Sequence, residues 1–259
     1  LWKLQPFGYH LVNVLLHAAN AVLLWRVLRR LEIPGAWWAA AIFALHPVQV
    51  ESVAWITEFK NVISGMFALL SLLVFLRFRP LSATGSLASW NWRCYPAATL
   101  LFLCALLGKT AVCCLPVVIV VLLWWKLDRI TQRDVLALVP WFAASAMLGL
   151  VTVQVESRRP DGGATGLPLS IVHRWLQAGR ALWFYAGKLF WPRPLAFIYP
   201  RWEIDAGAAW QYGFPVAAVA VIIMLWSLRR RIGKGPLAGV LCFAAMVSPV
   251  LGFRDIFFF

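Results

Sequence analysis

Charge is what this sequence has least of. Asp, Glu, Lys and Arg together make up 13% of its 259 residues while 62% are hydrophobic, whereas a soluble domain is roughly half apolar and a quarter charged. That shortage excludes a soluble fold. Cysteine is sparse as well: Cys94, Cys104, Cys113, Cys114 and Cys242 lie in or beside apolar runs without metal-ligand spacing. They read as packing residues and say nothing about redox compartment. No short internal repeat is evident. An initiator Met is missing too, since the chain opens at Leu1 and closes on Phe257, Phe258 and Phe259 just after an apolar run. The expectation is a piece of a longer protein, in which a signal peptide cannot be sought.

What the chain has in abundance is apolar runs of roughly 15 to 25 residues, the length a helix needs to cross about 30 Å of hydrocarbon. They are separated by short charged or Pro/Gly punctuation. The mean hydropathy is +0.77. A net charge of +14 would suggest nucleic acid in a soluble protein, but here Lys and Arg sit at the ends of apolar runs, where they orient helices in a membrane. Membrane lipids are the expected partner, and nucleic acid is not. The fold class expected is all-α: one polytopic bundle of transmembrane helices.

Spans are expected at about 10–27, 36–45, 62–78, 95–107, 111–125, 135–155, 214–228 and 237–251. Arg26, Arg29 and Arg30, then Arg77, Arg79 and Arg93, then Lys126, Arg129 and Arg133, and finally Arg229 to Arg231 with Lys234 mark the links that belong inside. The stretch after His46-Pro47 carries Glu51, Glu58 and Lys60 and becomes an outer loop by alternation. The apolar run 95–125 is too long for one crossing at 1.5 Å per residue. Lys109 in its middle is placed at least cost by a turn at the outer interface between two short spans.

Parity then constrains the next segment. If 135–155 leads out and 214–228 leads in, residues 156–212 form a long outer loop, and the helix at 170–191 lies on the outer leaflet. Val172, Trp175, Leu176, Gly179, Trp183, Ala186 and Phe190 share one stripe of that helix, and Arg174, Gln177, Ala181 and Lys188 the other. A second solution also satisfies alternation: 95–125 is one bent span and 170–191 a true one. The last span leaves Arg254 and Asp255 outside.

The stretch HPVQVESVAWITEFKNVISG at His46 to Gly65 resembles the outer loop of transmembrane and tetratricopeptide-repeat, O-mannosyltransferase-like proteins of the GT-C glycosyltransferase superfamily. FGYHLVNVLLHAANA at Phe7 to Ala21, ALLGKTAVCCLP at Ala105 to Pro116 and YAGKLFWPRPLAFIYP at Tyr185 to Pro200 resemble further blocks in the same order. The resemblance implies a GT-C-like bundle, and an enzyme that moves a sugar from a polyprenyl-phosphate carrier to an acceptor at the extracytoplasmic face. It also implies that the main catalytic acid lies in an earlier outer loop, upstream of this piece. The chain departs from the family where Glu-Arg-Lys-Asp becomes Glu58-Phe59-Lys60-Asn61. It also carries no tetratricopeptide repeats.

Within the piece, Glu51 and His46 are the candidate catalytic residues. A carboxylate at the membrane surface is able to orient a sugar hydroxyl, hold a divalent metal or accept a proton from the acceptor, and the residue types leave those roles open. Whether a metal is required is unknown. His46 and Pro47 also suit a plain helix end, and Glu58 suits a solvated loop. Lys109, Arg174, Arg180 and Lys188 are expected at headgroup depth on the outer side, where the positive-inside rule gives them no purpose. They are the candidates for binding the donor phosphate, against the plainer reading of a general anionic-lipid patch. Trp55 and Trp202, in outer segments, have faces suited to a sugar ring.

The expected function is therefore a membrane glycosyltransferase acting on a hydroxyl, on protein Ser or Thr or on a glycan, with mannose the sugar suggested by the resemblance. The lipid-linked donor serves as its co-substrate, and a bacterial plasma membrane is the expected location. A non-catalytic membrane anchor for tetratricopeptide repeats is the alternative. A transporter is disfavoured, because charged residues avoid the middles of the spans.

Overall fold

A computed structural model describes residues 5–81, 90–158, 170–196, 199–200 and 202–251. Part of the link after Arg79, the middle of the expected outer loop, and Arg254 and Asp255 lie outside the described residues.

Ten α-helices follow one another with no strand among the described residues: α1 (Pro6–Arg30), α2 (Ala36–Leu45), α3 (Val50–Ala54), α4 (Phe59–Phe78), α5 (Tyr95–Gly108), α6 (Leu115–Leu127), α7 (Gln132–Ser157), α8 (Ile171–Phe190), α9 (Gly213–Ile232) and α10 (Gly235–Val247). The chain is an all-α polytopic membrane bundle. Five helical stretches of 18 to 25 residues are long and apolar enough to cross a membrane. Four of the α-helices, α1, α5, α6 and α10, have Pro at one of their first two positions, where the missing N–H is no loss. Gly35 opens α2 with φ of 75°, a left-handed conformation that glycine enters without a Cβ penalty.

The span expected at 36–45 falls short of a crossing. α2 has 10 residues, about 15 Å of rise at 1.5 Å each, because His46 turns extended ahead of Pro47, as a residue before proline tends to do. The acidic segment expected as a loop is instead wound into short helical pieces: Pro47–Gln49 and Ile56–Glu58 are 3-10 turns on either side of α3.

Cross-helix bonds define how the elements run. Ser64 Oγ donates to Ala105 O at 2.7 Å and Ser71 Oγ to Ala98 O at 2.8 Å, so α4 and α5 are antiparallel. Gly108 lies against Ser64, where an added methyl would meet Ser64 Cβ at 3.1 Å; small residues of this kind let membrane helices approach closely. Tyr95 donates to Ala137 O at 2.8 Å and Trp141 Nε1 to Thr99 Oγ1 at 3.0 Å, setting α7 alongside α5. Between α5 and α6 the chain is extended at Lys109, with φ of −156°, and a 3-10 turn, Thr110–Cys114, starts the return. Stretch 95–125 is thus two helices. At the far end of α6, Trp124 stacks on Trp226 with centroids 5.9 Å apart, and Lys234 pairs with Asp128.

The core lies between α4, α5 and α7. Phe75, Phe78, Phe102 and Trp141 are buried there, and Trp141 stacks on Phe102 at 4.4 Å and 8°. Val27 and Leu31 join the same cluster from α1. The Arg- and Lys-bearing ends of α1, α4, α6 and α9 and the starts of α5, α7 and α10 gather at this end of the bundle, and the acidic segment 46–61 occupies the other. At the basic end Arg79 Nε holds the fully buried Asp134 carboxylate at 2.8 Å.

Among the described residues, α8 meets other helices at their ends. Gly179 and Trp183 meet Phe214 and Pro215 at the start of α9, Ala178 and Ala181 pack against Val247 and Leu251 at the end of α10, and Leu189 O meets His46. A helix with such neighbours lies across the bundle's acidic end. Its faces divide differently from the stripes expected. Ala181 is fully buried, with Leu176 and Ala178, whereas Trp175, Trp183 and Phe190 are exposed. The small residues Ala178, Gly179 and Ala181 supply the close approach to α9 and α10, while Trp175 and Phe190 are left exposed.

Candidate active site

α1 carries the acidic segment. Its polar residues Asn13, His17 and Asn20 are buried and spaced at helical intervals along one face. Asn13 Nδ2 donates to Trp55 O at 3.0 Å and to Val53 O at 3.3 Å. His17 Nε2 meets Ala44 O at 3.1 Å, and Asn20 Nδ2 donates to Val62 O at 2.8 Å. Ala44 and Val53 lie at helix ends, where carbonyls lack intrahelical donors. Polar side chains inside a membrane helix are thus committed to backbone groups of α2, α3 and α4. A cleft of about 390 Å³ remains beside them, walled by Val14, Leu45 and Val53 with His10, His17 and His46 on its margin.

His46 is held through both ring nitrogens. Val48 N–H donates to Nδ1 at 3.3 Å, which leaves the proton on Nε2, and Nε2–H donates to Leu189 O at 3.0 Å. It fastens the end of α2 to the C-terminal turn of α8.

Glu51 stands exposed in the first turn of α3, and its carboxylate forms no hydrogen bond or ion pair among the described residues. Below it is a polar cluster that the sequence reading did not assemble. Asn61 Oδ1 accepts from Lys109 Nζ at 2.6 Å, while its Nδ2 donates to Ser52 Oγ at 3.2 Å and to Glu58. Lys60 pairs with Glu58 at 3.5 Å from a more exposed position, a contact worth at most about 1 kcal/mol. Asn61, where the resembled family often has Asp, is the hub of the group. Its signal was its place three residues after Glu58, one helical turn along. Burial pushes the Lys109 ammonium below its ordinary range and Lys60 adds to this, while Glu58 and Glu51 oppose it.

Two of the α8 cations have aromatic partners. Arg180 lies over Trp202 at 4.9 Å and Trp210 at 6.0 Å. Lys188 lies over Phe184 and Tyr199, each at 5.4 Å, and donates to Pro194 O at 2.5 Å. Arg174 is half-buried one turn into the helix. The expected phosphate ligands are therefore divided: Lys109 lies with Glu58 and Asn61, Arg180 and Lys188 lie with Phe184, Tyr199, Trp202 and Trp210, and Arg174 lies near the start of α8. A guanidinium stacked by its face keeps its in-plane N–H groups for an anion. Among the described residues no cluster of His, Cys, Asp and Glu is arranged to hold a metal ion.

Over 92 residues, 34% of the chain, the sequence is 44% identical to Protein O-mannosyl-transferase tmtc2 of Xenopus laevis and 42% identical to its Mus musculus counterpart. A third of this chain is homologous to protein O-mannosyl-transferases. Protein O-mannosyl-transferase TMTC4 of Homo sapiens is 33% identical over 104 residues. The chain spans 11% to 14% of the length of these TMTC relatives. No family model and no solved structure matches.

Proposed function

We propose that this chain is part of a membrane glycosyltransferase that moves mannose from a polyprenyl-phosphate carrier to a Ser or Thr hydroxyl of a protein. The observation that carries the reading is the likeness of a third of the chain to protein O-mannosyl-transferases. The gathering of Glu51, Glu58 and Lys109 at one end of the bundle supports it. By the positive-inside rule the opposite, Arg-rich end is cytoplasmic, so the site faces out, where a lipid-linked donor presents its sugar. The relatives named are animal proteins and lend no support to a bacterial plasma membrane; the proposal is an integral membrane protein.

In this reading the acceptor oxygen attacks C1 of the sugar as the bond from C1 to the phosphate oxygen breaks. The hydroxyl proton passes to a carboxylate, and the electron pair leaves with the lipid phosphate. Glu51 is the carboxylate of this segment free to take that proton, and Lys109, Arg174, Arg180 and Lys188 are the cations available to the departing phosphate. His46 positions rather than reacts, because both its nitrogens are engaged.

The test is transfer by the full-length protein in defined lipid, comparing polyprenyl-phosphate mannose with a nucleotide-linked sugar, together with Glu51→Gln. Transfer from the lipid-linked donor alone, falling on the order of a hundredfold in Glu51→Gln, is expected. Wild-type rates in that variant remove Glu51 from the chemistry. No transfer by the wild type with either donor favours the anchor instead.

A further inference from the structure

We propose that Asn13 is a positioning residue for the Glu51 carboxylate, an inference that rests on the reading of Glu51 as the proton acceptor. α3 has only five residues, far below the roughly 12 that an isolated helix needs to hold together in water. Its position must therefore be imposed from outside. Glu51 contributes nothing through its own side chain, which has no partner among the described residues, so the carboxylate is only as well placed as the backbone beneath it.

That backbone is tied at two points. At the entry, Val48 N–H is held by His46. At the exit, Asn13 uses both hydrogens of one amide nitrogen, on Val53 O and on Trp55 O, while Trp55 N–H donates back to Glu51 O at 3.1 Å. The path from Asn13 to Glu51 thus runs through two hydrogen bonds, Asn13 to Trp55 and Trp55 to Glu51. Asn13 is itself 1% exposed on a 25-residue helix that packs against α4, so the anchor belongs to the bundle rather than to the short segment it holds. His17 and Asn20 act on the neighbouring pieces, the end of α2 and the first turn of α4. Of the three, Asn13 alone grips α3.

The experiment uses Asn13→Asp, which keeps the size of the side chain and, once ionised, donates to neither carbonyl. The full-length protein with its native cysteines replaced carries a nitroxide at Glu51→Cys, with a second label at Ala209→Cys as reference. Asn13→Asp is expected to sharpen the spectrum at position 51 and leave that at 209 unchanged. Asn13→Gln, which retains the amide, is expected to restore part of the order. An unchanged spectrum at 51, or equal loosening at both positions, overturns the proposal.

Transfer is read in parallel without labels. Asn13→Asp should lower kcat at least tenfold with KM for the donor within about threefold, and should lower it less than twofold further in a Glu51→Gln background. Equal losses in the two backgrounds overturn the positioning role, because Asn13 would then act independently of Glu51. A loosened position 51 with wild-type transfer by Glu51→Gln is a different result. It refutes Glu51 as the proton acceptor and leaves the anchoring by Asn13 in place.

Discussion

Gly179 of α8 rests on the ring of Pro215 at the start of α9, so closely that a methyl group on Gly179 would lie 2.6 Å from Pro215 Cδ and 2.7 Å from its nitrogen. Neither atom is able to rotate away. Gly179→Ala is expected to unseat α8, costing about 1 to 3 kcal/mol as overpacking does, with a lower Tm in detergent and faster proteolysis around α8. Gly149→Ala, where a methyl meets nothing within 4 Å, is the control and should leave Tm unchanged or slightly raised.

The lowered pKa of Lys109 carries a sign. Burial disfavours the charged amine, so between the folded and the unfolded pKa the unfolded chain binds more protons, and stability rises with pH across that window. A role in holding phosphate runs the other way. As pH rises Lys109 loses its charge before an ordinary lysine would, so kcat/KM for the donor should fall on the alkaline side with an apparent pKa below 10.5. Lys109→Arg should flatten that limb. Lys109→Met and Arg174→Met, measured singly in fixed lipid, should each lose more than about threefold in kcat/KM, which is roughly 0.7 kcal/mol. Smaller losses in both point to a general lipid patch.

Asp134 is fully buried against Arg79 and also accepts from the Thr131 backbone N–H at 2.9 Å and its hydroxyl at 2.6 Å. Asp134→Ala leaves an uncompensated guanidinium and should cost about 3 kcal/mol. In a cycle with Arg79→Ala, the double variant should be more stable than the sum of the single losses, as expected for a directly coupled pair.

Sidedness is accessible through cysteine labelling in a background free of the five native thiols. A membrane-impermeant maleimide on intact cells should label Gly207→Cys, and should label Ile130→Cys, in the exposed link between α6 and α7, only after permeabilisation. The reverse pattern inverts the bundle.

Much of the helical course was legible because lipid leaves the backbone few choices. Apolar runs and the arginines that end them marked α1, α4, α7 and α9, and the cost of Lys109 amid hydrocarbon marked the break after Gly108. The 46–61 segment was harder. Its charge pattern reads as a solvated loop, yet its helical turns are fastened by Asn13, 42 residues from Trp55 in sequence, while His17 and Asn20 hold the helix ends on either side of it. Those three were visible as polar residues on one face of an apolar helix, but nothing local says which carbonyls they reach. The buried face of α8 was misjudged at Ala181 for a related reason. In a membrane bundle small residues are favoured where helices approach closely, and apolar residues face lipid or protein alike, so hydrophobicity alone does not tell the two apart.

α1 continues past Asn13 by seven residues to Pro6, about 10 Å of further rise, while α2 stops beside His17. The first two turns of α1 therefore rise past the level at which Asn13 grips α3, and on the proposed reaction an acceptor that reaches the exposed Glu51 carboxylate does so alongside them.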